Sequence, residues 1–264
     1  SLHSKEALRT PGHLSERLFN IYYQHHVRIG ADWKTKQLQC VRFECPEPVF
    51  DLLPPIYTAY MPVVPVVFAA DGNYVPMLTA TIHSMLANAS PDRFYDIVVL
   101  ERGISGEDMR IMQQAYAKPG KVSLTFYNVG RIVESFDLVT NNAHISVETY
   151  YRFLVQQLLP HYDKVLYLDS DLIVQGDVAQ LYDTELGDNL LAAVRDLDFL
   201  GSINMKNGER MRYAKTVLGM KDPYAYFQAG VLVLNTAELR AFHTVEEWLK
   251  LAGDSRYIYN DQDI

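Results

Sequence analysis

From Val63 onward, apolar runs of strand length alternate with longer stretches in which apolar residues recur at helical spacing. The runs Val64 to Ala70, Asp96 to Glu101, Val122 to Tyr127 and Lys164 to Leu168 predict strands, and Pro76 to Ala89, Glu107 to Ala117 and Val147 to Leu159 predict the helices between them. Strands alternating with helices imply an α/β domain with a mostly parallel, Rossmann-like sheet flanked by helices. In such sheets ligands gather beyond the carboxyl ends of the strands. Asp71, just after the first strand, and Asp169, at the end of a later one, are therefore expected on the same rim.

Residues 1 to 62 do not share this rhythm. Leu14 to Tyr23 fits one amphipathic helix, with Leu14, Leu18, Ile21 and Tyr22 at helical spacing. Prolines at 46, 48, 54, 55, 62 and 65 then read as an extended connector. The expected organisation is an N-terminal appendage over 1–62, a linker or the tail of a preceding domain, followed by one domain over 63–264.

Composition narrows the class of partner. The 264 residues are 48% hydrophobic and 21% charged, as in a soluble globular protein with a sizeable core, and the net charge is −8. That balance argues against nucleic acid as the main partner, because phosphate backbones select clustered Lys and Arg. An acidic protein that handles anionic phosphates needs a local device, and a metal ion supplies one. No apolar run approaches the ~20 residues of a membrane span, and no signal-peptide pattern opens the chain, so a cytoplasmic location is expected. Cys40 and Cys45 read as free thiols in a reducing compartment.

The chemistry is suggested by Asp169-Ser170-Asp171, placed directly after the buried run ending at Leu168. Such a triplet occurs about once by chance in a chain this long, and this chain has two more, Asp196/Asp198 and Asp261/Asp263. Context must decide. Carboxylates two apart at a strand end point to one side and suit a hard cation such as Mn²⁺ or Mg²⁺ shared with substrate phosphates; the alternative is a pair of turn residues closing the strand. Neither a Gly-x-Gly-x-x-Gly turn nor a Gly-Lys-Ser/Thr loop follows the first strand, which disfavours nicotinamide chemistry and P-loop hydrolysis. Instead comes Ala69-Ala70-Asp71-Gly72-Asn73-Tyr74, small residues with polar groups able to meet a base or ribose.

Five segments in order, Phe68 to Tyr74, His144-Ile145-Ser146 with Tyr150-Tyr151-Arg152, Leu166 to Asp171, Tyr226 to Leu232, and Asn260 to Ile264, resemble the family 8 glycosyltransferases. The resemblance covers residues 64 to 264 and implies a GT-A fold, a mixed but mostly parallel sheet, acting as a retaining transferase of glucose or galactose from UDP-glucose or UDP-galactose. It implies that Ala69, Asp71, Asn73 and Tyr74 shape the uracil and ribose pocket, and that Arg152, Ser170 and Gln228 hold the nucleotide-sugar. Asp169 and Asp171 would bind Mn²⁺ or Mg²⁺, Asp196 would contact the donor sugar, and Asp261 and Gln262 would lie nearest the anomeric carbon. His144 and Thr149 would meet a saccharide or glycolipid acceptor. Gln228 departs from the Asn usual at its place, reaching one methylene further. The family draws a further metal-binding His from a stretch beyond Ile264, so the domain is expected to be cut short, with any contact to the inner face of a membrane made by the missing part. The expected product class is bacterial surface polysaccharide or lipopolysaccharide.

Two paths fit retention, a covalent intermediate on Asp261 or attack from the same face as the departing phosphate with Gln262 steadying the sugar; the second is favoured because Gln262 is neutral. Three other readings compete. A haloacid-dehalogenase-like phosphatase also carries an acidic triplet after a strand, but near its domain start. A non-catalytic UDP-sugar-binding module would tolerate an incomplete metal site. A sugar nucleotidyltransferase would want a Gly-rich, basic first loop, which Ala69 to Tyr74 is not.

Overall fold

The computed structural model describes residues 53, 61–136, 138, 147–205 and 208–264. The expectations for Leu14 to Tyr23, Cys40, Cys45, His144 and most of the proline-rich connector lie outside those residues. Six strands form one sheet: β1 (Val63–Asp71), β2 (Phe94–Arg102), β3 (Val122–Asn128), β4 (Lys164–Leu168), β5 (Leu191–Arg195) and β6 (Phe227–Asn235), in the order β3-β2-β1-β4-β6-β5. β1, β2, β3 and β4 run parallel, while β6 is antiparallel to both β4 and β5. The sheet is thus mixed, and the expected strands fall within a residue or two of their places.

Alternation along the strands divides the core between two faces. Val64, Val66, Phe68, Ile97 and Leu166 pack with Leu78, Ile82 and Met85 of helix α1 (Val75–Ala87) and Met112 of α2 (Gly106–Tyr116). Val67, Val98, Val165 and Tyr167 face the other way, onto Tyr150, Tyr151 and Leu154 and onto Val245 and Leu249. At roughly 1.5–3 kcal/mol per large apolar side chain removed from water, each face is a substantial share of the folding drive. A smaller apolar group, Phe199, Ile203, Ala214 and Tyr226 with Tyr259 against it, joins α3 (Leu197–Ser202) to α4 (Glu209–Thr216). Among the described residues no helix is long and apolar enough to cross a membrane.

Two local features needed the structure. Pro65 sits inside the central strand β1, where a missing N–H should break a ladder; it is tolerated because β4 pairs only with Val66 and Val67, beyond the proline. The predicted α-helix over Val147 to Leu159 is instead a 3-10 helix over Val147–Leu154 followed by a short α-helical turn, Val155–Leu158. Tyr150, Tyr151 and Arg152 are buried in succession, so the segment is enclosed on several sides instead of presenting one apolar stripe. The tighter turn also eclipses residues three apart, and Arg152 Nε donates to Thr149 O at 2.8 Å.

Candidate active site

The loop after β4 lies along α1 and is held there by side chains of one helix face. The Thr81 hydroxyl meets Ser170 O at 2.9 Å, Leu172 O at 2.8 Å and Leu172 N at 2.9 Å. Ser84 Oγ accepts from Val174 N, and Asn88 Nδ2 donates to Val174 O, both at 3.0 Å. Ser170 is buried and donates to Ala69 O at 2.6 Å, which fixes the end of β4 to the end of β1. Asp71 and Asp169 therefore share a rim, as the strand order requires.

Antiparallel pairing carries Gly230 of β6 beside Asp169, whose N–H donates to Gly230 O at 2.8 Å. A β-carbon at Gly230 would run into Asp169 Oδ2 and come within 2.8 Å of Gln228 Oε1, so only glycine leaves room for the carboxylate. The Asp169 side chain is half-buried, and burial holds its carboxyl above the usual carboxylate range; Arg152 opposes that shift and Asp171 adds to it. Asp171 is exposed. Together the two offer hard oxygen donors to a divalent cation, although among the described residues no third His, Cys, Asp or Glu completes a protein-only metal site. The donor set suits an ion that takes its other oxygens from phosphate and water.

Arg152 is buried behind Asp169 and fully engaged. It donates to Ala229 O and to Thr149 O, meets Thr149 Oγ1 and Asp169 Oδ1 at 3.3 Å, and lies 2.9 Å from Asp261 Oδ2. Its guanidinium stacks 4.3 Å from the Tyr167 ring centre. Asp261 is in turn buried; Thr149 Oγ1 donates to its Oδ1, and burial raises its pKa against the pull of Arg152 and Thr149. Gln262 bridges the site, its Oε1 accepting from Ala229 N at 3.2 Å and its Nε2 donating to Asp196 Oδ2 at 2.7 Å. Asp196 also caps α3, its Oδ1 accepting from Phe199 N at 2.8 Å.

These groups line one cleft of about 320 Å³. Ala69, Asp71, Tyr74, Thr149, Arg152, Asp169, Ser170, Asp171, Asp196, Asp261 and Gln262 all reach it; Asn73 and Gln228 do not. Asn73 Nδ2 donates to Asp71 Oδ2 at 3.0 Å inside the turn that Asp71 caps, and Gln228 curls along its own strand to accept from Gly230 N at 2.6 Å. The cleft is acidic: Asp71, Glu148, Asp169, Asp171, Asp196, Asp198 and Asp261 face it, against Arg152 and Arg210. Sequence reasoning missed Glu148, Asp198, Phe199, Arg210 and Tyr259, which reach the cleft through tertiary packing alone. It also missed Thr81, Ser84 and Asn88, although polar residues at helical spacing on the inner side of an apolar helix were a usable signal.

A parallel Rossmann-like half whose β4 ends in paired aspartates, completed by an antiparallel β6, is the GT-A class of glycosyltransferase fold. The chain belongs to glycosyl transferase family 8, whose sequence model matches residues 65–264. It is 28% identical over 207 residues to glycosyltransferase GlyF of Streptococcus pneumoniae, covering 75% of this chain and 44% of that protein. Among solved structures it is similar to the bifunctional glycosyltransferase WbbM, at 33% identity and a TM-score of 0.71, over 100% of this chain and 46% of that one. The galactosyltransferase LgtC, solved with donor and acceptor sugar analogues, aligns at 34% identity and a TM-score of 0.60, over 76% of this chain and 68% of that one. The chain spans about half the length of GlyF and WbbM. Family membership sets aside the phosphatase and nucleotidyltransferase readings.

Proposed function

We propose that this chain is a metal-dependent, retaining hexosyltransferase that moves glucose or galactose from a UDP-sugar to a saccharide or glycolipid acceptor, in the synthesis of a bacterial surface glycan. The observation that carries the reading is the convergence of Asp169 and Asp171 with Asp196 and Gln262 in one acidic cleft. Residues 63–264 would form the transferase domain and 1–62 an appendage to it.

In this reading Asp71, Ala69 and Tyr74 border the uridine. Asp169 and Asp171 would hold Mn²⁺ or Mg²⁺, whose charge would offset that of the diphosphate and of departing UDP. Arg152 sets the position of Asp169 rather than reaching out to the ligand, since its donors are occupied within the protein. Asp261 is held against Arg152 and Thr149, a poor stance for a nucleophile, which supports the same-face path over a covalent intermediate. Gln262 is oriented from both ends of its amide, and its Oε1 keeps a second lone pair for the positive charge that grows at the anomeric carbon. Thr149 supports Asp261 and Arg152, which leaves acceptor contact to other residues, His144 among the candidates.

Calorimetric titration with UDP-glucose and UDP-galactose, in Mn²⁺ and again in EDTA, tests the reading, with donor hydrolysis measured alongside. Metal-dependent binding of one donor with slow hydrolysis is expected. Metal-independent binding would overturn the role of Asp169 and Asp171, and binding without any turnover would make the chain a UDP-sugar-binding module.

A further inference from the structure

Arg210 is the cation of the cleft that the transfer chemistry leaves unassigned. Arg152, with a side chain only 7% exposed, has its donors occupied by the protein. Arg210 stands on α4 with its side chain 27% exposed, and its Nη1 donates to Asp198 O at 2.8 Å and Asp198 Oδ2 at 3.0 Å. The guanidinium lies over two rings, 5.3 Å from the centre of Phe199 and 5.6 Å from that of Tyr259, which hold it at the cleft wall. Asp198 is 89% exposed, and an ion pair so open to water contributes little to the fold. Its carboxylate is therefore a readily displaced occupant, while the Asp198 carbonyl can keep its hold on Nη1.

Position assigns the ligand. Arg210 is tied to Asp198, Phe199 and Tyr259, on the side of the cleft where Asp196 and Gln262 meet, whereas Asp71 and Tyr74 lie at the ends of β1. We propose that Arg210 is a specificity residue for an acceptor that carries a negative charge, a saccharide bearing a phosphate or a carboxylate, whose anion replaces the Asp198 side chain at the guanidinium edge. The proposal rests on the transferase reading above.

The test measures transfer to methyl β-glucoside, to its 6-phosphate and to methyl β-glucuronide, with the donor sugar nucleotide that binds more tightly. The wild type should favour an anionic glycoside over the neutral one in kcat/KM by about tenfold or more, as expected of hydrogen bonds to a charged group. Arg210→Gln should bring that ratio close to one, and Asp198→Asn, which removes the competing carboxylate, should raise it. Preference for the phosphate alone identifies a phosphorylated acceptor; preference for both identifies a general anion contact. Thermal melting checks each variant, and Arg210→Lys, keeping the charge without the fork, replaces Arg210→Gln if the latter does not fold, with a reduced ratio expected. A wild-type ratio of one or less, no transfer to any of the three, or a ratio untouched by the Arg210 variants overturns the inference. Lack of metal-dependent donor binding by the wild type would instead sink the transferase reading, and this inference with it.

Discussion

The two walls of the cleft are fastened in different ways. The wall formed by β1 and β4 is held by single side chains bonded to backbone: Asp71 caps its own turn, Ser170 bonds Ala69, and Thr81, Ser84 and Asn88 carry the loop that bears Asp169 and Asp171. The opposite wall is assembled from charged and amide side chains bonded mostly to one another, with Arg152 against Asp261, Gln262 against Asp196, and Asp263 accepting from Tyr226 at 2.7 Å and Tyr213 at 2.5 Å. The first arrangement fixes a rim with interchangeable small contacts. The second fixes a reaction centre with few, strong and mutually dependent ones.

Substitutions on either wall should separate these modes. The largest effect is expected from Asp169→Asn, which should lower transfer by about 10³-fold or more and abolish metal-dependent donor binding in calorimetry, because charge stabilisation at the leaving group is lost. Asp261→Asn should next cost about 3 kcal/mol in denaturant unfolding, by leaving the buried Arg152 short of a partner; a cost near zero would mean that this wall is no more cooperative than the other. Gln262→Ala should reduce transfer by roughly 10²-fold while donor affinity is kept, a pattern that steady-state kinetics and titration together resolve. Thr81→Val should cost only about 1–2 kcal/mol and loosen donor binding, since one buried hydroxyl among several clamps is removed. The smallest effect is in pH. Burial raises the Asp169 pKa, so on acidification the free protein takes up that proton, and loses metal-dependent donor binding, at a higher pH than an ordinary aspartate would dictate. Coincidence of that loss with the ordinary carboxylate range would show Asp169 to be fully solvated.

The same contrast explains what could be read from the residues. The first strands and helices were legible because each apolar run codes its own element, and the rim followed from parallel strand order. The Asp169 to Asp171 triplet and Asp71 were found because they sit at strand ends. The 3-10 course of Val147–Leu154 was not found, because it is dictated by the demand that Arg152 turn inward beneath Thr149 rather than by local propensity. Arg210 and Tyr259 were silent for a related reason: a side chain brought to a cleft by packing of α3 and α4 leaves no periodic trace. Gln228 was misjudged in reach because its amide turns back on Gly230, a preference that only the backbone geometry of β6 reveals.

Arg152 has a consequence for how such a chain can change over generations. One guanidinium touches groups from Thr149, Tyr167, Asp169, Ala229 and Asp261, so the fitness of a substitution at any one of them depends on the others. Lysine, a single point charge, cannot serve that many directions at once. The position should therefore behave as an epistatic hub, where libraries that randomise Asp169 or Asp261 singly yield inactive proteins and viable alternatives emerge only as coordinated sets, while residues outside this network drift independently of it.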